Sequence, residues 1–578
     1  MKTHGGGPSR QNILLGNGLT VSAPVAPYTV PDADDIPGFR NFLGKPTSGQ
    51  VAGSAHQAAS PAQLRQRMYS LARRMTSNLT VSGALPGTTQ RDNKAIPSGY
   101  TYLLQFMAHD LVATSIPFWA ADDLCDGTRN GRTSRLRLET LYGGGPMVNP
   151  APYQPDDDGD TSRTKLRLGQ FDGAGTPPRS CPFRDLARTT VPSMNSEMIF
   201  SEPLISDGRN DDNVILAQLT VLFQALHNVI VNEIDPCAVG KTAEPVEAAS
   251  RRFACARAAT TLIFRTIIRD DLLPRILHPK VRSRYSVPAP VFLDAEFKKN
   301  PSGRLPLEFS HGALRFGHAM ARNSYQLNAT NPRPSMLCEV LNQTSSRRPG
   351  EMPLSVTWLI NWSQFFELNP GVTPNLSQLI GPTMSPGLTD RSLFGPIDSD
   401  PSTPPDDGRA GLPYRDLISA TLAGLWSVDA LVWEIGQRNP ALVAALPGLT
   451  SPALYPALAQ WLRADQRGTG LTAADIAAIA ADPPLPFYIL FEAEAQTDGE
   501  TLGPLGSIII ADVIYAILAE EPFAVPTGAS LRTTLAALSD QYQGQYRLDG
   551  LVTITTMPEL VKFVANRAGW QACQPPFI

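Results

Sequence analysis

Residues 211–234 read DDNVILAQLTVLFQALHNVIVNEI, and residues 247–273 read EAASRRFACARAATTLIFRTIIRDDLL. Both are long stretches of helical pattern, and they set the class of the fold. Toward the N-terminus the same signal appears in SPAQLRQRMYSLARRM, residues 60–75. There Leu64, Met68, Leu71 and Met75 fall three and four apart behind a Ser-Pro start. A further helix is expected over residues 97–116, PSGYTYLLQFMAHDLVATSI. Toward the C-terminus, HGALRFGHAMARNSY (311–325), LISATLAGLWSVDALVWEIG (417–436), SPALYPALAQWLRADQ (451–466) and GSIIIADVIYAIL (506–518) read as helices.

The intervals are polar. Residues 120–190 are rich in Gly, Asp and Pro (QPDDDGDTSRT at 154–164), and residues 395–413 form a second such loop. Residues 1–60 mix Gly, Pro and short β-branched runs and read as an extended arm over the surface of something larger. The expected class is therefore mainly α. It is one large helical unit over residues 61–578, with few short strands and long loops, behind an N-terminal arm.

Composition excludes several functions. With 49 basic and 53 acidic residues, net charge −4, nothing favours nucleic acid or an anionic membrane. Mean hydropathy is −0.13, and no run approaches the ~18 uninterrupted apolar residues of a transmembrane helix. Cysteines 125, 181, 237, 255, 338 and 573 form no CxxC pair, so zinc ribbons and disulfide scaffolds are poor readings. The start, MKTHGGGPSRQN, lacks the apolar run of a secretory signal; a removed signal leaves no trace, and cytoplasm is the default compartment.

Seven histidines can be weighed singly. His4 and His56 lie in polar sequence. His278 precedes Pro279 after a helix and suits a C-terminal cap. His227, in ALHNVIV on an apolar helix, suits a buried, hydrogen-bonded structural role. His311 gets no function. His109 and His318 differ in their neighbours. In LLQFMAHD, Gln105 and His109 are four apart and share a helical face, with Asp110 turned away. In ISDGRNDDN, Arg209 and Asp212 are three apart and share a face. In LRFGHAM, His318 shares a face with Arg315, and Gly317 leaves room for close approach of a flat ligand.

Together, and in this order, these motifs resemble the animal-type haem peroxidase family of the peroxidase–cyclooxygenase superfamily, and especially its bacterial members. The distal Q-x-x-[D]-H-D motif appears as Gln105–Asp110, the R-x-x-E motif as Arg209–Asp212, and the proximal F-G-H motif as Phe316–His318. His227-Asn228, LYGGGP at 141–146, GLP at 411–413 and residues 491–513 add to the likeness, which spans residues 60–565.

The resemblance implies a haem peroxidase catalytic domain over residues 61–578, reducing hydrogen peroxide and oxidising small organic molecules or easily oxidised halides. His318 is the implied axial iron ligand and His109 the acid–base. Arg209 stabilises the leaving oxygen, and Gln105 orients the peroxide network or borders a halide site. Arg315 and Asp416 complete the implied haem surroundings. Asp416, placed by aligning on Gly411–Pro413, stands where the family has an asparagine. A carboxylate there would give His318 imidazolate character and lower the iron's reduction potential.

Other departures matter too. Ala108 replaces a haem-linking aspartate, Asp212 replaces the second linking glutamate, and Asn213 stands at the sulfonium-forming methionine. The resemblance therefore implies haem b or a haem with a single ester at Asp212, and disfavours chloride oxidation. In the family the aspartate after the distal histidine, here Asp110, binds calcium together with a loop that corresponds to Thr133, Arg135, Arg137 and Glu139. Arg137 stands at a carboxylate position, which opposes the cation and offers an Arg137–Asp110 pair instead. The alternatives are a fatty-acid dioxygenase of the same superfamily and a haem-binding protein without turnover. Arg315 replaces the radical tyrosine of the first, and the His109–Arg209 pair is superfluous for the second.

Overall fold

A computed structural model describes residues 38–44, 46–47, 50, 61–76, 91–114, 130–155, 163–172, 183–192, 199–234, 246–286, 304–328, 331, 333–389, 393, 411–450, 453–464 and 469–570. The longer helices are α1 (Pro61–Thr76), α2 (Gly99–Leu111), α3 (Val214–Ile234), α4 (Val246–Ile267), α5 (Leu337–Asn342), α6 (Gly411–Leu422), α7 (Val428–Arg438), α8 (Leu454–Arg463), α9 (Ala473–Ala481), α10 (Leu485–Thr497), α11 (Pro504–Leu518), α12 (Leu531–Gln541) and α13 (Met557–Ala568). Strands among the described residues occur only as five two-stranded ribbons, so the class is mainly α.

Helix α3 is the centre, because most of its side chains are apolar and nearly all are buried. It is long and apolar enough to cross a membrane, but 94% of its most apolar window is buried inside the protein, as in a core helix. α2, α4 and α13 pack around it. Phe106 of α2 stacks on Phe223 of α3 at 5.0 Å, and Phe264 of α4 meets both rings edge-on at 5.7 and 5.5 Å. Such aromatic pairs add ~0.5–1.5 kcal/mol each beyond their buried area, which fixes α2 against its neighbours. His227 takes the structural role expected: it is fully buried, with Nδ1 at 3.0 Å from the Tyr142 hydroxyl and Nε2 at 2.9 Å from the Thr164 carbonyl.

Several expectations are corrected. The segment carrying His318 is no ordinary α-helix: a π turn at Glu308–Gly312 runs into a 3₁₀ stretch at Ala313–Met320. The predicted helix over 417–436 is two helices, α6 and α7. The break lets the Trp426 N–H reach the buried Glu308 carboxylate at 2.9 Å. Residues 411–413 open α6 rather than closing a loop. His278 caps the start of the turn Pro279–Arg282, its Nδ1 accepting from Lys280 N at 3.2 Å, rather than the end of a helix.

Most of the expected arm lies outside the described residues, but residues 38–44 do not lie over a surface. Gly38–Arg40 pairs in parallel with Arg304–Pro306, Phe42 is fully buried, and Glu308 accepts from Phe42 N at 2.6 Å and Asn41 Nδ2 at 3.0 Å. An aromatic side chain and a buried carboxylate hold that stretch in the core.

Candidate active site

The α-helical period places Thr101, Gln105, Ala108, His109 and Val112 on one face of α2, and that face lines a cavity. The opposite wall elements contribute Arg315 and His318. In a 3₁₀ stretch residues three apart eclipse one another, so these two side chains project together. Leu314, Leu337, Leu341, Leu388 and Leu412 make the remainder apolar. About 810 Å³ there is free of protein atoms, part of it continuous with solvent.

His109 is buried, and its Nδ1 lies 2.9 Å from Asn210 Oδ1. An amide oxygen only accepts, so Nδ1 carries the proton and Nε2 the lone pair. Burial, with the Arg209 charge beside it, pushes the imidazole down to about 4. Arg209 is held on four sides. Its Nε and Nη2 grip Asp207 at 3.0 and 2.7 Å, Nη1 donates to Val112 O at 2.7 Å, and Nη2 donates to His109 O at 2.9 Å. Arg132 also pairs with Asp207 and donates from Nε to His109 O at 3.1 Å. Burial alone would raise the Asp207 carboxyl, but the two guanidiniums hold it well below the usual range. Asp207, Asn210 and Arg132 escaped the sequence reading. The first two flank Arg209 in DGRND, and the only signal was the density of polar groups in that turn.

On the other wall His318 Nδ1 lies 2.6 Å from Asp416 Oδ2, and Arg315 Nη1 is 3.7 Å from Asp416 Oδ1. Asp416 sits on α6, whose first residue must be glycine. A Cβ on Gly411 (φ +43°) would lie 2.2 Å from Leu388 O. Gly317 itself lines the cavity, and a Cβ there would meet Leu104 Cδ2 at 2.6 Å, so the glycine also lets α2 approach closely.

Asp212 also departs from expectation. It ends the turn Gly208–Asp211 as the chain bends into α3, and the cavity wall takes Asn213 instead, whose Nδ2 donates to Gln105 Oε1 at 3.2 Å. Asp110 turns away, its oxygens accepting from Leu138 N and Thr140 N, each at 2.9 Å. Burial and the Glu139 charge push its carboxyl up to about 6. No Arg137–Asp110 pair forms: Arg137 donates to Glu521 O at 3.3 Å and lies over Phe523, while Thr133 binds Glu139. Among the described residues no cluster of three or more His, Cys, Asp or Glu side chains gathers as for a metal ion.

Residues 161–396 match the family model described as Animal haem peroxidase. A Peroxidase-like protein of Margaritifera margaritifera is 30% identical over 118 residues, 20% of this chain; the match spans only 14% of that protein's length. Peroxidase A from Dictyostelium discoideum shares the fold with a TM-score of 0.52 at 14% identity, over 94% of this chain and 95% of that one. A fatty acid alpha-dioxygenase variant of Oryza sativa overlays at TM-score 0.49, 12% identity, over 85% and 78% of the chains, too slight a likeness to bear on activity. The fold and the matched segment are of the haem peroxidase type. The matched family is the animal one and the matched peroxidases are eukaryotic, which overturns the bacterial-type placement.

Proposed function

We propose that this chain is a haem-dependent peroxidase that reduces hydrogen peroxide and oxidises small organic molecules or easily oxidised halides. One observation carries the reading: an anchored His109–Arg209 pair and an Asp416-bound His318 line a single apolar cavity.

The donor set suits haem. With Nδ1–H given to Asp416, His318 keeps the Nε2 lone pair for iron, the leucines suit a porphyrin face, and Arg315 suits a propionate. Haem supplies the redox chemistry when bound. His109, neutral at pH 7, takes a proton from one peroxide oxygen and returns it to the other, which leaves as water. Arg209 stabilises the charge on that departing oxygen. Gln105, steadied by Asn213, orients the peroxide and its water. Asp416 is the hydrogen-bond acceptor that keeps His318 electron-rich. Asp212 is the one position left for an ester link, and haem b without any link is the other form. Calcium at Asp110 is disfavoured, since backbone N–H groups already meet both oxygens.

The anchored guanidinium separates this reading from a haem-binding scaffold, which needs no such group. Absorption spectra of the haem-loaded protein before and after one equivalent of hydrogen peroxide test it. A Soret band that peroxide shifts and a reductant restores is expected; a band that peroxide leaves unchanged would refute turnover.

A further inference from the structure

The two histidines that face the cavity meet different acceptors at Nδ1. His318 Nδ1 lies 2.6 Å from a carboxylate oxygen of Asp416, whereas His109 Nδ1 lies 2.9 Å from the amide oxygen of Asn210. A carboxylate is charged and binds the shared proton strongly; an amide oxygen is neutral and binds it more weakly.

Asn210 sits in the 3₁₀ turn Gly208–Asp211, next to Arg209, and is fully buried. The turn sets its backbone: Asn210 N donates to Asp207 O at 3.0 Å, and Asp207 Oδ1 accepts from Arg209 N at 3.1 Å. Asp207 also pairs with Arg132, and Arg132 and Arg209 both donate to His109 O. One turn thus holds the histidine twice, by its carbonyl through two guanidiniums and by its ring through Asn210. The Asn210 amide does little for the fold itself. Its Nδ2 has no hydrogen-bond partner among the described residues, and a buried donor left unmet costs stability. Among those residues the side chain bonds only His109.

We propose that Asn210 is a positioning residue for peroxide reduction, whose amide oxygen holds the Nδ1 proton of His109 and so turns an uncharged ring with a free Nε2 lone pair to the cavity. The inference rests on the peroxidase reading. The peroxide proton then enters and leaves at Nε2, while the Nδ1 proton stays on its bond to Asn210. A carboxylate at this position would orient the ring equally well but favour its protonated form, which has no lone pair to receive a proton. The charges already near the ring oppose one another: Arg209 disfavours its protonation, and Asp207 and Asp212 favour it. Arg132 and Arg209 pair with Asp207, and Asp110 on the same helix is turned to Leu138 and Thr140. Across the cavity Arg315 and His318 face Asp416. A neutral partner leaves that balance undisturbed.

The test uses the full chain with isotope-labelled histidine nitrogens, loaded with haem and held as the diamagnetic ferrous carbonyl. Nitrogen NMR should find a protonated Nδ1 and a bare Nε2 in His109 at neutral pH; a proton on Nε2 would overturn the proposal. The same spectrum can be read on haem-free chain that never meets peroxide, so failure here is distinct from failure of the peroxidase reading. In stopped flow, Asn210→Leu, similar in size but without an acceptor, should slow the reaction with peroxide by about tenfold at every pH, the size of one hydrogen bond. Asn210→Asp restores the acceptor and adds a charge. The pH at which its rate falls away, about 4 in the wild type, should rise by about one pH unit or more. Above that point its rate should return to that of the wild type. If the leucine variant does not fold, the aspartate variant and the wild-type spectrum decide. A wild-type rate and pH profile in the leucine variant, or equal losses in both variants at every pH, would overturn the proposal.

Discussion

Arg209 donates from Nη2 to the carbonyl oxygen of His109 at 2.9 Å, fastening the guanidinium to the C-terminal turn of the helix that carries the histidine. The last carbonyls of a helix lack intrahelical donors and form its negative end, so a cation is doubly favoured there. Charge donor and proton carrier therefore move as one unit. Arg209→Ala should slow the reaction with peroxide by about 10²–10³-fold while haem stays bound. Arg209→Lys keeps the charge but loses the fork and should fall between. Stopped-flow rates equal to wild type in the alanine variant would remove Arg209 from the mechanism.

The pH dependence follows from His109. Its imidazole is pushed down to about 4 by burial and Arg209, so the neutral, proton-accepting form persists at neutral pH. The peroxide rate constant should stay level from neutral pH downward and fall only as pH drops through about 4. In the unfolded chain the ring titrates near ~6.5. The folded value is the lower one, so the stability it contributes is complete above ~6.5 and is lost as pH falls from there through about 4. A kinetic midpoint between 6 and 7 on a pH–rate profile (~6.5 being the ordinary value) would contradict the burial argument.

His318→Ala should abolish stable haem binding, seen as loss of the Soret band. Asp416→Asn is milder: a carboxamide accepts the ring proton less strongly than a carboxylate. The ferric/ferrous potential should therefore rise and the iron–histidine stretching frequency fall, with haem retained. Potentiometry and resonance Raman read both, and identical values in the two proteins would leave Asp416 a merely structural role.

Haem attachment is predicted from Ala108, Asn213 and the position of Asp212. The first two offer no carboxylate or thioether, and Asp212 is absent from the cavity wall. Acid–acetone should extract mostly free haem, with any covalent remainder on the Asp212 peptide by mass spectrometry. Haem on another peptide, or attached twice, would overturn this.

Metal removal provides a last check. Leu138 N and Thr140 N already satisfy Asp110, so excess EDTA should leave the melting temperature and Soret band of the haem-loaded protein unchanged. A chelator-induced drop in melting temperature, reversed by calcium, would restore the cation.

The sequence by itself determined the helical class, the long helices α1 to α4, and the three stretches that meet at the cavity. It could do so because apolar periodicity is a local property and residues four apart on a helix share a face whatever packs against it. It also pointed to Asp416, though only by counting from Gly411–Pro413. Only the tertiary structure decided the rest. Asp207 and Arg132 lie 75 residues apart and meet only when the loop after α2 folds back. Asn213 rather than Asp212 reaches the wall because of how one 3₁₀ turn enters α3. Asp416 meets His318 across 98 residues, through a close approach that needs glycine at 411. Such pairings depend on how whole helices pack, and side-chain hydrogen bonds formed at that scale leave no period in the chain.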